Sequence, residues 1–417
     1  MSRFAIEDPQ AAYIAYTKGM SSRWTFVQRT VCNTSKLFQP LEDVIRQVLL
    51  PAIVGRAISD SERNMIALPM RYGGLGIQNP VEIADREYFT SKKITEKLTD
   101  HIYAQHLDLT GLDRKWMGSV KSSMKLAKET FLKKVAQDIA NALPEKQKNA
   151  FLGAQCKGAS SWLAALPLKS IGFALNKRDF TDGICSRYGW KIRDMPSLCG
   201  CGKDNSYDHA LSCPLGGYTS MRHNALRDTE AAIMREVCRD VKIEPSLLPV
   251  ENPAILKPGT NITKGARLDI SGMGVWNSFE RSYCDVRVTH HGAQSHMHKS
   301  LAQLHAENER EKNTLYADRI KQIEKSVFHA LIFNTYGGMG KDCEAFNRRL
   351  AQLVCEKRKM SFGSVMTHIR TRLRFALLRS VVTALRGVRG RKSGSGMKDL
   401  SNVNFDFVPE GEMYESF

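Results

Sequence analysis

Two aspartates stand in surroundings that a folding chain ordinarily keeps free of charge. Between Arg267 and Val288 the sequence runs Arg-Leu-Asp-Ile, a Gly-containing interval, then Cys-Asp-Val-Arg-Val. Asp269 is flanked by Leu268 and Ile270, and Asp285 by Tyr283, Cys284, Val286 and Val288, so each lies in a segment that reads as a short buried strand. The intervening stretch 271–281 opens with turn residues and predicts a hairpin, which would set the two acids at neighbouring strand ends. Two carboxylates so placed raise each other's pKa unless a cation lies between them. Magnesium suits such a pair, because it takes one or two carboxylates together with water and phosphate oxygens. The competing reading is that one aspartate ends a strand and the other caps a turn.

The chain of 417 residues is long enough for two or three domains, and its 61 Lys and Arg against 43 Asp and Glu leave a formal charge of +18. A surplus of that size favours a polyanionic partner, nucleic acid before membrane, with an unattached basic surface as the alternative. No run approaches the roughly 18 apolar residues that would span a bilayer, and the first residues lack a secretory apolar core, so an intracellular protein is expected. Ten cysteines are scattered without a disulfide-like spacing, except for one cluster.

That cluster is Cys199, Cys201, His209 and Cys213, three soft sulfurs and an imidazole with Gly200, Gly202 and Asn205 to turn the backbone between them. The set suffices for one tetrahedral zinc of structural type, with unliganded thiols in a Gly-rich turn as the other option. Before it the pattern is helical. Pro51 should kink or end a helix over 41–54, Ser59 caps the next, and Gly73-Gly-Leu-Gly reads as a tight turn because no phosphate-loop lysine comes after it. Over 121–142, lysines face solvent opposite Leu126, Phe131, Leu132 and Val135. Phe180, Tyr188 and Trp190 read as core more readily than as base-stacking residues.

After the cluster come a helix over 218–240, a strand from Val241, the two acidic strands, a charged helix over 299–325, a strand over 327–333 and a helix over 343–358. This predicts an α+β chain: a helical N-terminal half, a small zinc-binding segment, then an α/β domain closed by a basic helix. Segment boundaries are expected at 1–115, 116–195, 196–217, 218–392 and 393–417, the last a polar tail expected to be disordered. Glu230 and Glu236 read as solvated, or as reaching the metal from the helix side. His290, His291, His296 and His298 read as an exposed loop, or as a transition-metal set. Glu309, Lys312 and Tyr316 share one helix face, either merely wet or leaning over the aspartates. Arg370, Arg372, Arg374 and Arg379 accompany an apolar stripe, suited to tracking a phosphate backbone or to packing with the guanidinium groups solvated.

In this order, a Cys-His cluster, Arg222-His223-Asn224 at a helix start, Ile243-Glu-Pro, Asp269, Asp285, then Lys312 and Tyr316, the chain resembles the C-terminal region of retrotransposon reverse transcriptase-like proteins with a CCHC zinc knuckle and a restriction-like PD-(D/E)xK endonuclease domain. Leu68-Pro and Gly73-Gly-Leu-Gly-Ile are similar to the segment just after the polymerase palm in such proteins. No Tyr- or Phe-x-Asp-Asp motif occurs, so polymerase activity is not expected and the chain looks like a fragment or decayed copy. The resemblance implies magnesium on Asp269 and Asp285, a structural zinc, and catalytic support from Lys312, Tyr316 and Arg287. Arg287 stands where the family's lysine usually lies and, staying charged, cannot act as a base. It further implies hydrolysis of target DNA to leave a 5′ phosphate and a priming 3′ hydroxyl, DNA contacts from Arg222, His223 and the arginine helix, RNA binding left open, and a nuclear location.

Overall fold

Pro51 does not end its helix. In the computed structural model, which describes residues 1–105, 114–293, 296 and 298–387, the helix Gln39–Val44 widens into a π turn at Ile45–Leu49 and resumes as Leu50–Val54. Pro51, in the first turn of the resumed segment, is thereby accommodated without a break. Termination comes instead at Gly55, whose φ of +82° is the left-handed cap that glycine adopts without strain. Ser59 caps the helix Asp60–Ala67 through a reciprocal box with Glu62. The turn at Gly73 and Gly74 is structural: a Cβ on Gly74 would lie 1.8 Å from the Leu68 carbonyl oxygen.

The chain divides into two compact units, Met1–Gln155 with Leu175–Ile184, and Cys156–Ala174 with Cys185 onward. The long helices Pro80–Tyr103 and Arg114–Ala142 both belong to the first unit, so the boundary expected near 115 is not a division between units. On the second of these helices Leu132, Ala136 and Ala140 are buried, whereas Leu126 and Phe131, expected beside them, are exposed. The first unit also buries an ion pair: Arg63 grips Glu42 with Nε at 2.6 Å and Nη2 at 2.7 Å, and its Nη1 donates to the Ile77 carbonyl. Phe180, Tyr188 and Trp190 are all buried and present no ring for a base to stack on.

The second unit is built on a four-stranded sheet of order β1-β2-β3-β4, with β1 at Arg239–Ile243, β2 at Ile270–Met273, β3 at Arg281–Thr289 and β4 at Val327–Asn334. β1, β2 and β3 are antiparallel neighbours; β3 and β4 are parallel, from Ser282 opposite Val327 to Thr289 opposite Asn334. The parallel pair is buried along most of its length, as strands covered by helices are, although β3 carries Asp285 and Arg287 on one face. Five helices of this unit matter here: α1 (Tyr207–Ser212), α2 (Tyr218–Arg235), α3 (Leu301–Gln322), α4 (Lys341–Arg358) and α5 (Phe362–Arg386). Ile320, Tyr316 and Ala317 of α3 pack with Leu268, Tyr283, Phe328, Ala330 and Ile332. The observed class is α+β with a small mixed sheet. No helix among the described residues is long and apolar enough to cross a membrane. The polar tail over 393–417, together with 388–392, lies outside the described residues.

α5 corrects the expectation of a basic face turned to a phosphate backbone. The helix is buried on nearly every side, and its arginines go to internal partners. Arg372 pairs with Glu236, Arg370 with Glu344, Arg374 donates its Nε to the Ala159 carbonyl at 3.1 Å, and Arg379 donates to the carbonyls of Gly172 and Ala174. With Arg372 and Arg374 only 3% and 5% exposed, neither can reach DNA in this conformation. Glu236 is accordingly an ion-pair partner rather than a solvated acid.

Glu230 is not solvated either. It is fully buried, accepts a hydrogen bond from Asn347 Nδ2 at 2.8 Å, and burial pushes its carboxyl up from 4.5 to about 7, against the Asn347 bond and the Arg372 charge. A raised carboxyl favours the protonated fold, so its contribution to stability is whole below about pH 4.5 and is lost as pH rises through about 7. Glu230→Gln is expected to abolish that loss. Urea denaturation across this window should show the wild type falling relative to the variant by on the order of 3 kcal/mol.

Candidate functional site

The hairpin places the two aspartates as their surroundings require. Ile270 pairs with Cys284, so Asp269, just before β2, and Asp285, within β3, occupy adjoining positions on neighbouring strands. The turn between them closes with Gly274 at a φ of +99°, its N–H donating to Glu280. Asp269 reaches across the ladder: the Val286 N–H, one residue past Asp285, donates to its Oδ2 at 2.6 Å. From the other side, His223 on α2 donates Nε2–H to Asp269 Oδ1 at 2.9 Å.

Asp285 shares the α3 face of the sheet with Tyr283, two residues earlier on β3. Lys312 of α3 answers it, with Nζ 2.6 Å from Oδ2, the two side chains being 18% and 9% exposed. Burial raises the Asp285 carboxyl above its ordinary value; Lys312 opposes this, and the charge of Asp269 adds to it. The His223 imidazole is held above its usual range by the hydrogen bond to Asp269 against the pull of burial, with the Asp285 charge assisting. Each acid thus meets a basic side chain, His223 on α2 and Lys312 on α3.

These groups line an open cleft of about 530 Å³, whose wall also carries Arg222, Arg287, His290, His296 and Glu311. Arg287 pairs with Glu311 at 2.7 Å, as a permanent cation on the rim. Arg222 lines the cleft but is 4% exposed and donates Nη1 to the Leu211 carbonyl at 3.1 Å, so it braces the wall rather than projecting from it. Tyr316 does not reach the acids. Its ring packs on Phe328 with centroids 5.7 Å apart, its hydroxyl takes a bond from Asn261, and its nearest link to the cleft is the Lys312 ammonium 5.8 Å above the ring. Glu309, expected on the same face, instead accepts the Asp342 N–H at the start of α4.

The histidine loop is partly interior. His290 and His291 are 4% exposed, which overturns the expectation of an exposed loop, and no four-histidine cluster forms among the described residues. Sequence reasoning missed His290 as a wall of the cleft; its place one residue past a strand was the available signal. It also missed Glu311, which differs from any solvated helix glutamate only by its distance to Arg287.

Beside the cleft, Cys199, Cys201, His209 and Cys213 bring their ligand atoms within 4.8 Å of one another. A turn closed by Cys199 N–H to the Lys203 carbonyl holds the first two, while His209 rides on α1 and Cys213 caps its end. Cys199 and Cys213 are buried with sulfurs 3.8 Å apart, and Cys201 lies 3.3 Å from His209 Nε2. Three sulfurs and an imidazole at this separation could hold a zinc ion as a closed, structural site. The single residue between Cys199 and Cys201 is no obstacle, since Gly202 at a φ of +84° turns the backbone behind them.

No protein-family model matches the sequence, and no curated protein is detectably similar to it.

The geometry leads to two expected outcomes. Lys312→Met should cost about 3 kcal/mol by leaving Asp285 buried and unpaired, and Asp285→Asn in the same chain should recover most of it, measured by denaturant unfolding. Native mass spectrometry should find one zinc per chain, lost in Cys213→Ser.

Proposed function

We propose that the second unit is a metal-dependent DNA endonuclease of the restriction-like PD-(D/E)xK kind, similar to the domain that ends certain retrotransposon proteins, and that it hydrolyses target DNA to a 5′ phosphate and a 3′ hydroxyl able to prime reverse transcription. The observation that carries this reading is the meeting of Asp269 and Asp285 at one cleft with Lys312 2.6 Å from the second acid. The donor set fits magnesium: two carboxylates on neighbouring strands, open to a cleft wide enough for a phosphate. Bound there, magnesium would supply Lewis-acid polarisation of the scissile phosphate and a more acidic water.

The protein's own residues do the rest. Asp269, fixed on both oxygens by His223 and Val286, and Asp285 present the negative charge that would hold the ion. Lys312, on a rigid helix and backed by the Tyr316 ring, offers an ammonium to the nucleophile or to charge developing on phosphate. Arg287 contributes fixed positive charge at the rim and no base. DNA would be drawn by the net charge of +18, with contacts that position the duplex without reading its sequence. Since α5 keeps its arginines inward, the rim of the cleft is where such contacts are sought. The reading places the protein in the nucleus, with its target.

A second reading has its own support: a nucleic-acid-binding protein without catalysis. Both acids are already engaged by basic side chains, and Arg287 stands where a lysine would be usual. Plasmid nicking decides between the two. The endonuclease requires nicking that depends on magnesium and falls at least about 100-fold in Asp269→Ala and Asp285→Ala, while salt-sensitive DNA binding is retained. Nicking that survives both substitutions removes the site assignment; binding without any nicking selects the second reading.

A further inference from the structure

α1 stands between two centres. Its His209, and Cys213 at its end, face the zinc cluster, while Leu211 and Ser212 line the acid cleft. At six residues it is far too short to hold its own position, so what ties its two sides decides where it sits. On the cleft side Arg222 holds the Leu211 carbonyl, and Asp208 adds a tie to the loop after β3, its Oδ1 accepting the His290 Nε2–H at 3.1 Å. The other ring nitrogen of His290 meets Thr335 Oγ1 at 2.9 Å, so this imidazole is fixed at both ends. Thr335 in turn donates its N–H to the carbonyl of Thr289, the last residue of β3. The loop beyond wraps tightly, for a Cβ on Gly292 would lie 2.0 Å from Asp208 Oδ1. A continuous set of polar contacts therefore runs from the metal ligands, through Asp208 and His290, to the end of the strand that carries Asp285.

We propose that Asp208 is a positioning residue that couples occupation of the Cys199/Cys201/His209/Cys213 site to the shape of the acid cleft, acting through His290. The role of the cleft rests on the endonuclease reading; the coupling does not. With zinc bound, His209 and Cys213 pin one side of α1, and the Asp208–His290 joint transmits that restraint to the rim. Without zinc the helix loses the restraint on His209 and Cys213, and the end of β3 with the loop over 289–293 loosens with it.

Hydrogen–deuterium exchange on the full chain tests this without reference to cutting. Chelation of zinc is expected to speed exchange over 286–293 about tenfold, the scale of one lost charge-assisted hydrogen bond. Asp208→Ala should produce a similar rise with one zinc still bound, and Asp208→Asn, whose amide oxygen still accepts from the imidazole, should return the rate to within about threefold of wild type. Should Asp208→Ala fail to fold, Thr335→Val, which frees the far side of the same ring, is expected to raise exchange in the same segment. Unchanged exchange over 286–293 in zinc-loaded Asp208→Ala, or after zinc removal, overturns the proposal. So does an Asp208→Asn chain that behaves like the alanine variant, because packing alone would not distinguish them. A wild type that shows the coupling but nicks no DNA would retire the endonuclease reading and leave this one standing.

Discussion

Everything distinctive about the second unit depends on how it tolerates two carboxylates within an apolar sheet. An ionised carboxylate taken out of water is costly unless charge and hydrogen bonds replace the solvent. Here the replacement is divided: α2 supplies His223 to Asp269, β3 supplies its own Val286 N–H, and α3 supplies Lys312 to Asp285. The two helices lie in different parts of the chain, with β1, β2 and β3 between them in sequence. Loss of either partner would leave a charge that the sheet alone cannot accommodate, so the site is also a fastening of the fold.

The same constraint governs the arginines. A basic amphipathic helix in a chain of +18 invites the inference of a surface that tracks a polyanion. In α5 that inference fails because the helix is interior, and an interior guanidinium must find carboxylates or carbonyls nearby. Glu236, Glu344 and the carbonyl groups of Ala159, Gly172 and Ala174 serve that purpose. Net charge is a property of composition; which charges face outward is a property of packing.

The same division separates the features legible in the sequence from those that were not. Local rules reached the hairpin between the acids, the cap at Ser59, the turn at Gly73 and Gly74, and the approximate spans of α3, β4 and α4, because each depends on a few neighbouring residues. The spacing of three cysteines and a histidine pointed to a cluster for the same reason. Local rules could not reach the side chains whose surroundings are assembled from distant segments. Glu230 reads as any helix glutamate until Asn347, over a hundred residues later, is seen to accept it into the core. His290 reads as part of a polar loop until Asp208 and Thr335 close on its two nitrogens. Pro51 reads as a breaker until a π turn ahead of it relieves the clash.

The placement of the amine is a consequence of strand geometry. Arg287 is two residues beyond Asp285, so the two side chains leave the same face of β3 but are offset along it by about 6–7 Å. At that offset, α3 can meet both with consecutive residues: Glu311 takes Arg287 and Lys312 takes Asp285. A lysine at 287 would compete for Glu311 as well as for Asp285, whereas an arginine, with its planar fork engaged at the rim, leaves the acid to the helix. The strand cation and the helix cation are therefore not alternatives for one position. They form two adjacent ion pairs across the β3–α3 contact, the inner one shielded and the outer one open to solvent.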